Sequence, residues 1–237
     1  MLRATDLNIA IAQLVIFTPD VSAFSTPKAL ALILGKYSHR YDGSVQALPL
    51  PEEIPQEVPR VILQSKDGTH RLDVSPLRVT SYWIRSGEMQ AEPEDILSTS
   101  IEVLEHYVQG MEFQVGRLAL VLTRVCKAEN PAKLIVEKFC QPELQTTIFN
   151  DSENFEIHNH KHLELKGFSV NSWIRCKTGV LIINNVEFKG VILEQDLNTL
   201  AEELEQRRFQ PEEIKSYFQV AAAEAEANLK AYFSKEV

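Results

Sequence analysis

The feature that most constrains this chain is a run of 27 residues, Pro59 to Arg85, with Asp67-Gly68 between two strand-like halves. Asp-Gly in that setting favours a two-residue type I′ turn, because both central residues there take positive φ. With Asp67 and Gly68 as the turn, Lys66 faces Thr69, Leu63 faces Leu72 and Val61 faces Val74. The apolar residues then share one face, while Ile62–Asp73 and Gln64–Arg71 share the other. A slip of one residue would put each apolar side chain on the wrong side, so the pattern fixes the register. Beyond the turn the apolar positions change parity at Ser75-Pro76, which reads as a bulge in one long strand, a place where proline is tolerated.

Elements flank this hairpin on both sides. Asn8 to Phe17 is rich in β-branched residues and reads as a strand. Ser25-Thr26-Pro27 supplies an N-cap at Thr26 and proline at N1 of a helix whose stripe is Leu30, Ile33, Leu34 and Tyr37. Asp42 to Pro59 holds four prolines and three glutamates and reads as an extended strap. Pro93 opens an amphipathic helix to about Gly110, with Leu97, Ile101, Leu104 and Val108 on one face. Phe113 to Val125 is apolar enough for a central strand. Strand, helix, strand, strand, helix, strand is the order of a ferredoxin-like βαββαβ unit. It would occupy residues 1–127.

Residues 128–237 read as an antiparallel β-meander with helices, packed closely on the first part. Pro131 to Phe139 suits a short helix. The expected strands are Phe155–Leu165, Phe168–Cys176, Val180–Ile183 and Val186–Leu193, with Lys177-Thr178-Gly179 and Asn184-Asn185 as turns. Thr199 and Glu202 suggest a capping box for a helix through Arg208. Pro211 then opens a final helix with Ile214, Phe218, Ala221, Ala225, Leu229 and Tyr232 in its stripe. That stripe suits core, and its alanines also suit close approach by a second copy in a homodimer. The expected class is therefore α+β.

Three segments together carry a resemblance: VILQSKDGTHRLDVSPLRVTSYW, then an amphipathic helix and VGRLALVLTRV, then LEQDLNT before a C-terminal helix. Their order resembles a sporadically distributed, functionally uncharacterised prokaryotic family of about this length. One site departs from the pattern, since Gly116 precedes Arg117 and Ala119 follows it, where a glycine and an aromatic after the arginine would be expected. The resemblance implies no reaction and no catalytic residue. A patchy distribution would suit a mobile or defence-associated gene cluster, with a partner encoded nearby.

Charge narrows the functional classes. The formal net charge of −9 argues against broad nucleic-acid or anionic-membrane binding. A local patch at Lys66, Arg71 and Arg78 is the weakest of three readings. The three cysteines, Cys126, Cys140 and Cys176, cannot all pair within the chain and lack C-x-x-C spacing, as expected of reduced thiols in a cytoplasmic protein. The N-terminal apolar run is broken by Asp6, Asn8 and Gln13, unlike a signal peptide or membrane span. No G-x-S-x-G, phosphate-binding glycine loop or dinucleotide fingerprint occurs.

Three clusters stand out. Between Arg85 and Arg117 there is no lysine or arginine, but seven acidic residues, among them Glu94, Asp95, Glu102 and Glu105. They make the outer face of the second helix acidic, able to dock a basic protein partner or simply to be solvated. His158, His160 and His162 alternate along one strand, so all three point to one face. Two histidines at i and i+2 can ligate one zinc, whereas the outer pair, about 13–14 Å apart at the backbone, cannot share a tetrahedral ion. A metal-dependent hydrolase or metal-binding protein using His158 and His160 is thus the alternative to a non-enzymatic protein-binding or regulatory component. Asp196, Asn198 and Thr199, with Glu194, form the third cluster, read as helix capping or as a divalent-ion site.

Overall fold

The architecture comes from a computed structural model, which describes residues 2–48, 51, 53–87, 93–183 and 186–234. Nine strands form one antiparallel sheet: β1 (Asn8–Phe17), β2 (Val45–Ala47), β3 (Val61–Gln64), β4 (His70–Val74), β5 (Arg78–Ile84), β6 (Arg117–Lys127), β7 (Glu156–Leu165), β8 (Phe168–Ile183) and β9 (Val186–Thr199). The helices are α1 (Thr26–Tyr37), α2 (Pro93–Met111), α3 (Pro131–Phe139), α4 (Pro142–Gln145) and α5 (Pro211–Tyr232). The class is α+β. Across the sheet the order is β2-β3-β4-β5-β1-β6-β9-β8-β7. Within it, β6-β1-β5-β4 with α1 and α2 reproduces the ferredoxin-like arrangement, and β3 and β2 extend it outward.

The hairpin register is as the sequence dictates: Val61 pairs with Val74, Ile62 with Asp73, Leu63 with Leu72 and Gln64 with Arg71. Its turn is longer than a type I′ turn. Gly68 N–H donates to Ser65 O at 3.1 Å, and Ser65 N–H donates to His70 O at 2.9 Å. Only Gly68 of the Asp-Gly pair takes positive φ, at 74°. Asp67 instead accepts from the Ser65 hydroxyl at 2.6 Å and the Thr69 N–H at 2.9 Å. Those bonds hold its carboxyl down at about 2.

Ser75-Pro76 is a turn and not a bulge. Ser75 N–H donates to Arg78 O, and Ser75 Oγ accepts from Arg78 N–H. Proline follows the first residue of this tight turn, where its fixed φ is an asset. The long strand therefore folds back on itself as β4 and β5, with Val74 opposite Val79.

Similar corrections apply further along. Lys177-Thr178-Gly179 lies inside β8, where Gly179 stands opposite Gly190. A side chain at Gly179 would run into the side chain of Ile192, so the glycine serves close approach, not a turn. The Asn184-Asn185 turn lies outside the described residues. Thr199 ends β9 and caps no helix. Its hydroxyl accepts from Leu118 N–H at 3.0 Å, and only a single 3-10 turn, Ala201–Glu203, follows. At α1 the helix begins with Thr26, and Ser25 is its N-cap.

One face of the sheet carries the core. Ala12, Leu14 and Ile16 of β1 lie beside Leu122, Leu120 and Leu118 of β6, and all are within 2 % of full burial. Leu197 of β9 continues the row. Tyr37, Leu104, Tyr107, Tyr217 and Phe218 from the helices cover it. A second cluster gathers Ile135 of α3, Ile174 and Cys176 of β8, Leu193 of β9 and Leu229 of α5.

The β6–β9 ladder, from Ala119–Asn198 to Lys127–Gly190, runs the sheet across residues 127 and 128 without a break. Arg124 of β6 sits in the layer between sheet and α5, only 5 % exposed. Its guanidinium pairs with Glu226 of α5 and donates to Gln195 Oε1 at 3.2 Å, while Gln195 Nε2 donates to Ala225 O at 2.7 Å. Burial pulls the Arg124 pKa down, against the attraction of Glu226. A buried charge is tolerable only while its partner stays ionised. Glu226→Gln should therefore lower stability by about 1–3 kcal/mol, seen as a lower midpoint in urea unfolding. Adding Arg124→Met to that variant should recover most of the loss, since no unpaired charge then remains.

Candidate functional site

α2 and α5 lie side by side on the helical layer, and a groove of about 700 Å³ runs between them. Leu97 and Ile101 of α2 and Ala222 of α5 form its floor, and all three are buried. Glu94, Glu102 and Glu105 rise from α2, and Glu226 and Lys215 from α5. A shallower depression continues the groove past Gln109, Pro211 and Glu212. Five carboxylates thus stand along it against one lysine. Between Glu94 and Gln109 the helix advances about 22 Å, the length of some four helical turns.

Why the sequence builds this is local chemistry. Leu97 and Ile101 are spaced i, i+4 at the edge of the α2 stripe, and glutamates at positions 94, 102 and 105 flank them. Ala222 and Ala223 on α5 are small, which leaves space between the helices where larger residues would close it. Asp95, in the first turn of α2, is exposed and does not line the groove. Glu102 is held toward α1, where it accepts from the Tyr37 hydroxyl at 3.1 Å and lies 3.5 Å from Lys36 Nζ. Among the described residues Glu105 has no ion pair. Burial raises its pKa, Lys215 opposes that, and Glu212 and Glu102 add to the rise.

Sequence patterning located the acidic half of this groove and missed the half on α5. The signal was present: Glu212, Lys215, Gln219 and Glu226 punctuate the polar side of the last helix. Nothing in one sequence says that this side faces α2.

The opposite face of the sheet brings the other two clusters together. β8 lies between β7 and β9, so His160 stands opposite Trp173, and Trp173 opposite Asp196. The His160 ring stacks on Trp173 at 4.0 Å with planes 10° apart, and its Nε2 lies 3.2 Å from Asn171 Oδ1. His162 meets His160 edge-on at 4.9 Å, and His158 lies 6.5 Å from Trp173. Asn198 donates to Asp196 Oδ1 at 3.0 Å and accepts from Arg117 at 2.9 Å, while Arg175 pairs with Glu194 at 2.7 Å. His160 is thus engaged by a stacked ring and a hydrogen bond, and all three histidines are exposed. Among the described residues no group of three or more His, Cys, Asp or Glu side chains could hold a metal ion. Asp196 and Asn198 are strand residues with polar partners, not helix caps.

Of the basic residues, Arg71 pairs with Asp73 at 2.7 Å and Lys66 lies 3.6 Å from Asp42, so neither charge stands alone. All three cysteines are free thiols. Burial pushes Cys176 up to about 12, which removes it as a nucleophile at neutral pH. No described helix is long and apolar enough to cross a membrane. No known family model matches this sequence, and a search of curated proteins found no match.

Glu105 gives the groove a pH signature. A carboxylate whose folded pKa is raised favours the folded state below its unfolded value, near 4.5, and loses that contribution as pH rises through the folded value. Glu105→Gln should therefore be more stable than the parent at pH 7, with the difference vanishing below pH 4.5. Thermal unfolding at a series of pH values checks this.

Proposed function

We propose that this protein is a non-enzymatic binding component that docks a basic, amphipathic helix of a protein partner in the α2–α5 groove. The observation that carries this is the combination of an apolar floor with carboxylate walls on a helix-length groove. An incoming helix would lay its apolar stripe over Leu97, Ile101 and Ala222 and set lysines or arginines against Glu94, Glu105 and Glu212, Glu226 being already paired with Arg124. Complementary charge of that density steers encounter and fixes register. Glu105 supports the reading, because an ionisable group held against its preference is a common mark of a functional surface. A partner encoded beside this protein, in a mobile or defence-associated cluster, is the setting that the sequence resemblance suggests.

The test is titration of a labelled lysine–leucine amphipathic helical peptide into the protein, followed by fluorescence anisotropy. Binding should weaken steeply with added salt. Glu94→Lys with Glu105→Lys should weaken it by at least about tenfold, roughly 1.4 kcal/mol, with the fold intact by circular dichroism. Equal affinity for parent and variant would sink the groove as the docking site.

A further inference from the structure

β8 and β9 outrun their neighbours. β7 leaves the edge of β8 at Glu156–Lys177, and β6 leaves the edge of β9 at Lys127–Gly190. From there to Ile183–Val186 the two strands pair with each other, and at the base of β9 Ala128 N–H donates to Lys189 O at 3.1 Å. Four residue pairs, 180–183 with 186–189, project about 13 Å clear of both neighbouring strands as a two-stranded ribbon, a form that is marginal in water on its own. Phe155 O accepts from Thr178 N–H, and among the described residues no backbone bond leaves the outer edge of β8 beyond that point.

The side chains here are the reverse of a protected edge. Val180, Ile182 and Val186 are 60 %, 69 % and 52 % exposed, half of the exposed large apolar residues among those described. From Thr178 to Ile183 the strand carries no charge. Natural edges of this kind are normally blunted by lysine, proline or a covering element.

We propose that this ribbon is a dimerisation arm, whose β8 edge pairs antiparallel with the same edge of a second copy. Three observations choose a second copy over another partner. The segment Val180-Leu181-Ile182 is a palindrome in character, so a two-fold axis at Leu181 sets Val180 opposite Ile182 and Ile182 opposite Val180. Both side chains lie on the same face of the ribbon, so the four would form one apolar cluster, as an isologous contact requires. A chain of net charge −9 repels its own copy over most of its surface, and an uncharged edge is where two copies can meet. Pairing would join two ribbons into a four-stranded sheet and cover the exposed Val180 and Ile182 side chains of both copies.

This inference does not depend on the α2–α5 groove, and its test does not touch it. Sedimentation velocity of the full chain should give twice the 26.9 kDa monomer mass, and Ile182→Lys should halve it. A parent that stays monomeric at every concentration would overturn the proposal. So would an Ile182→Lys protein that stays dimeric, since the interface would then lie elsewhere. Leu181→Cys adds a check on register, because cysteines facing across the dyad should oxidise to a cross-linked dimer absent from the parent. A dimer in which Leu181→Cys does not cross-link would overturn the antiparallel pairing.

Discussion

The β6–β9 ladder is the contact on which the remaining architecture depends. Nine residue pairs join β6 of the first half to β9 of the second, and every later feature is referred to that seam. α5 packs on β6 and β9 and reaches α2 only because the two strands share a sheet. The groove between α2 and α5 is thus a product of strand pairing on the layer beneath it. Arg124 and Gln195 sit on this seam and tie α5 to it by side chains. Their position explains why charge is found in a layer otherwise filled by Leu, Ile and Tyr.

The two faces of the sheet have been put to different uses. On the helical face, aliphatic side chains from seven strands, β1, β3, β4, β5, β6, β8 and β9, meet aromatic side chains from α1, α2 and α5. On the other face the side chains satisfy one another in place: Arg117 lies over Phe17, Arg71 over Tyr82, and Trp173 between His160 and Arg175. Cations laid on aromatic rings keep such a surface wet without an unpaired charge. The groove is built by the opposite logic. Arg124 answers Glu226 and Lys36 answers Glu102, but among the described residues Glu94, Glu105 and Glu212 have no ion pair, and Glu105 is partly withdrawn from water besides, so the surface is electrostatically incomplete. A basic partner would complete it.

Much of the fold was legible in the residues. The register of β3 on β4 followed from period-two alternation, α2 from its apolar spacing, and the start of α5 from Pro211. The misreadings share a cause. Ser75-Pro76 and Lys177-Thr178-Gly179 each admit two backbone solutions, a turn or a strand irregularity, and local sequence does not choose between them. Pairing does: β5 has β1 to lie against, whereas Gly179 has Gly190. Thr199 and Asn198 looked like caps for the same reason, since a short polar side chain serves a helix end or a strand edge equally well.

By itself the sequence determined the α+β class, the hairpin register, the amphipathic faces and the acidity of α2, because each rests on contacts or charges within a few residues. It also put His158, His160 and His162 on one side of a strand. Tertiary structure decided what those faces meet. It set the histidines against Trp173 and Asn171, joined them to the Asp196 cluster through β8, and brought Glu212 and Glu226 beside the glutamates of α2. Residues more than a hundred positions apart share that groove, and their adjacency is fixed by strand order, which no local periodicity encodes.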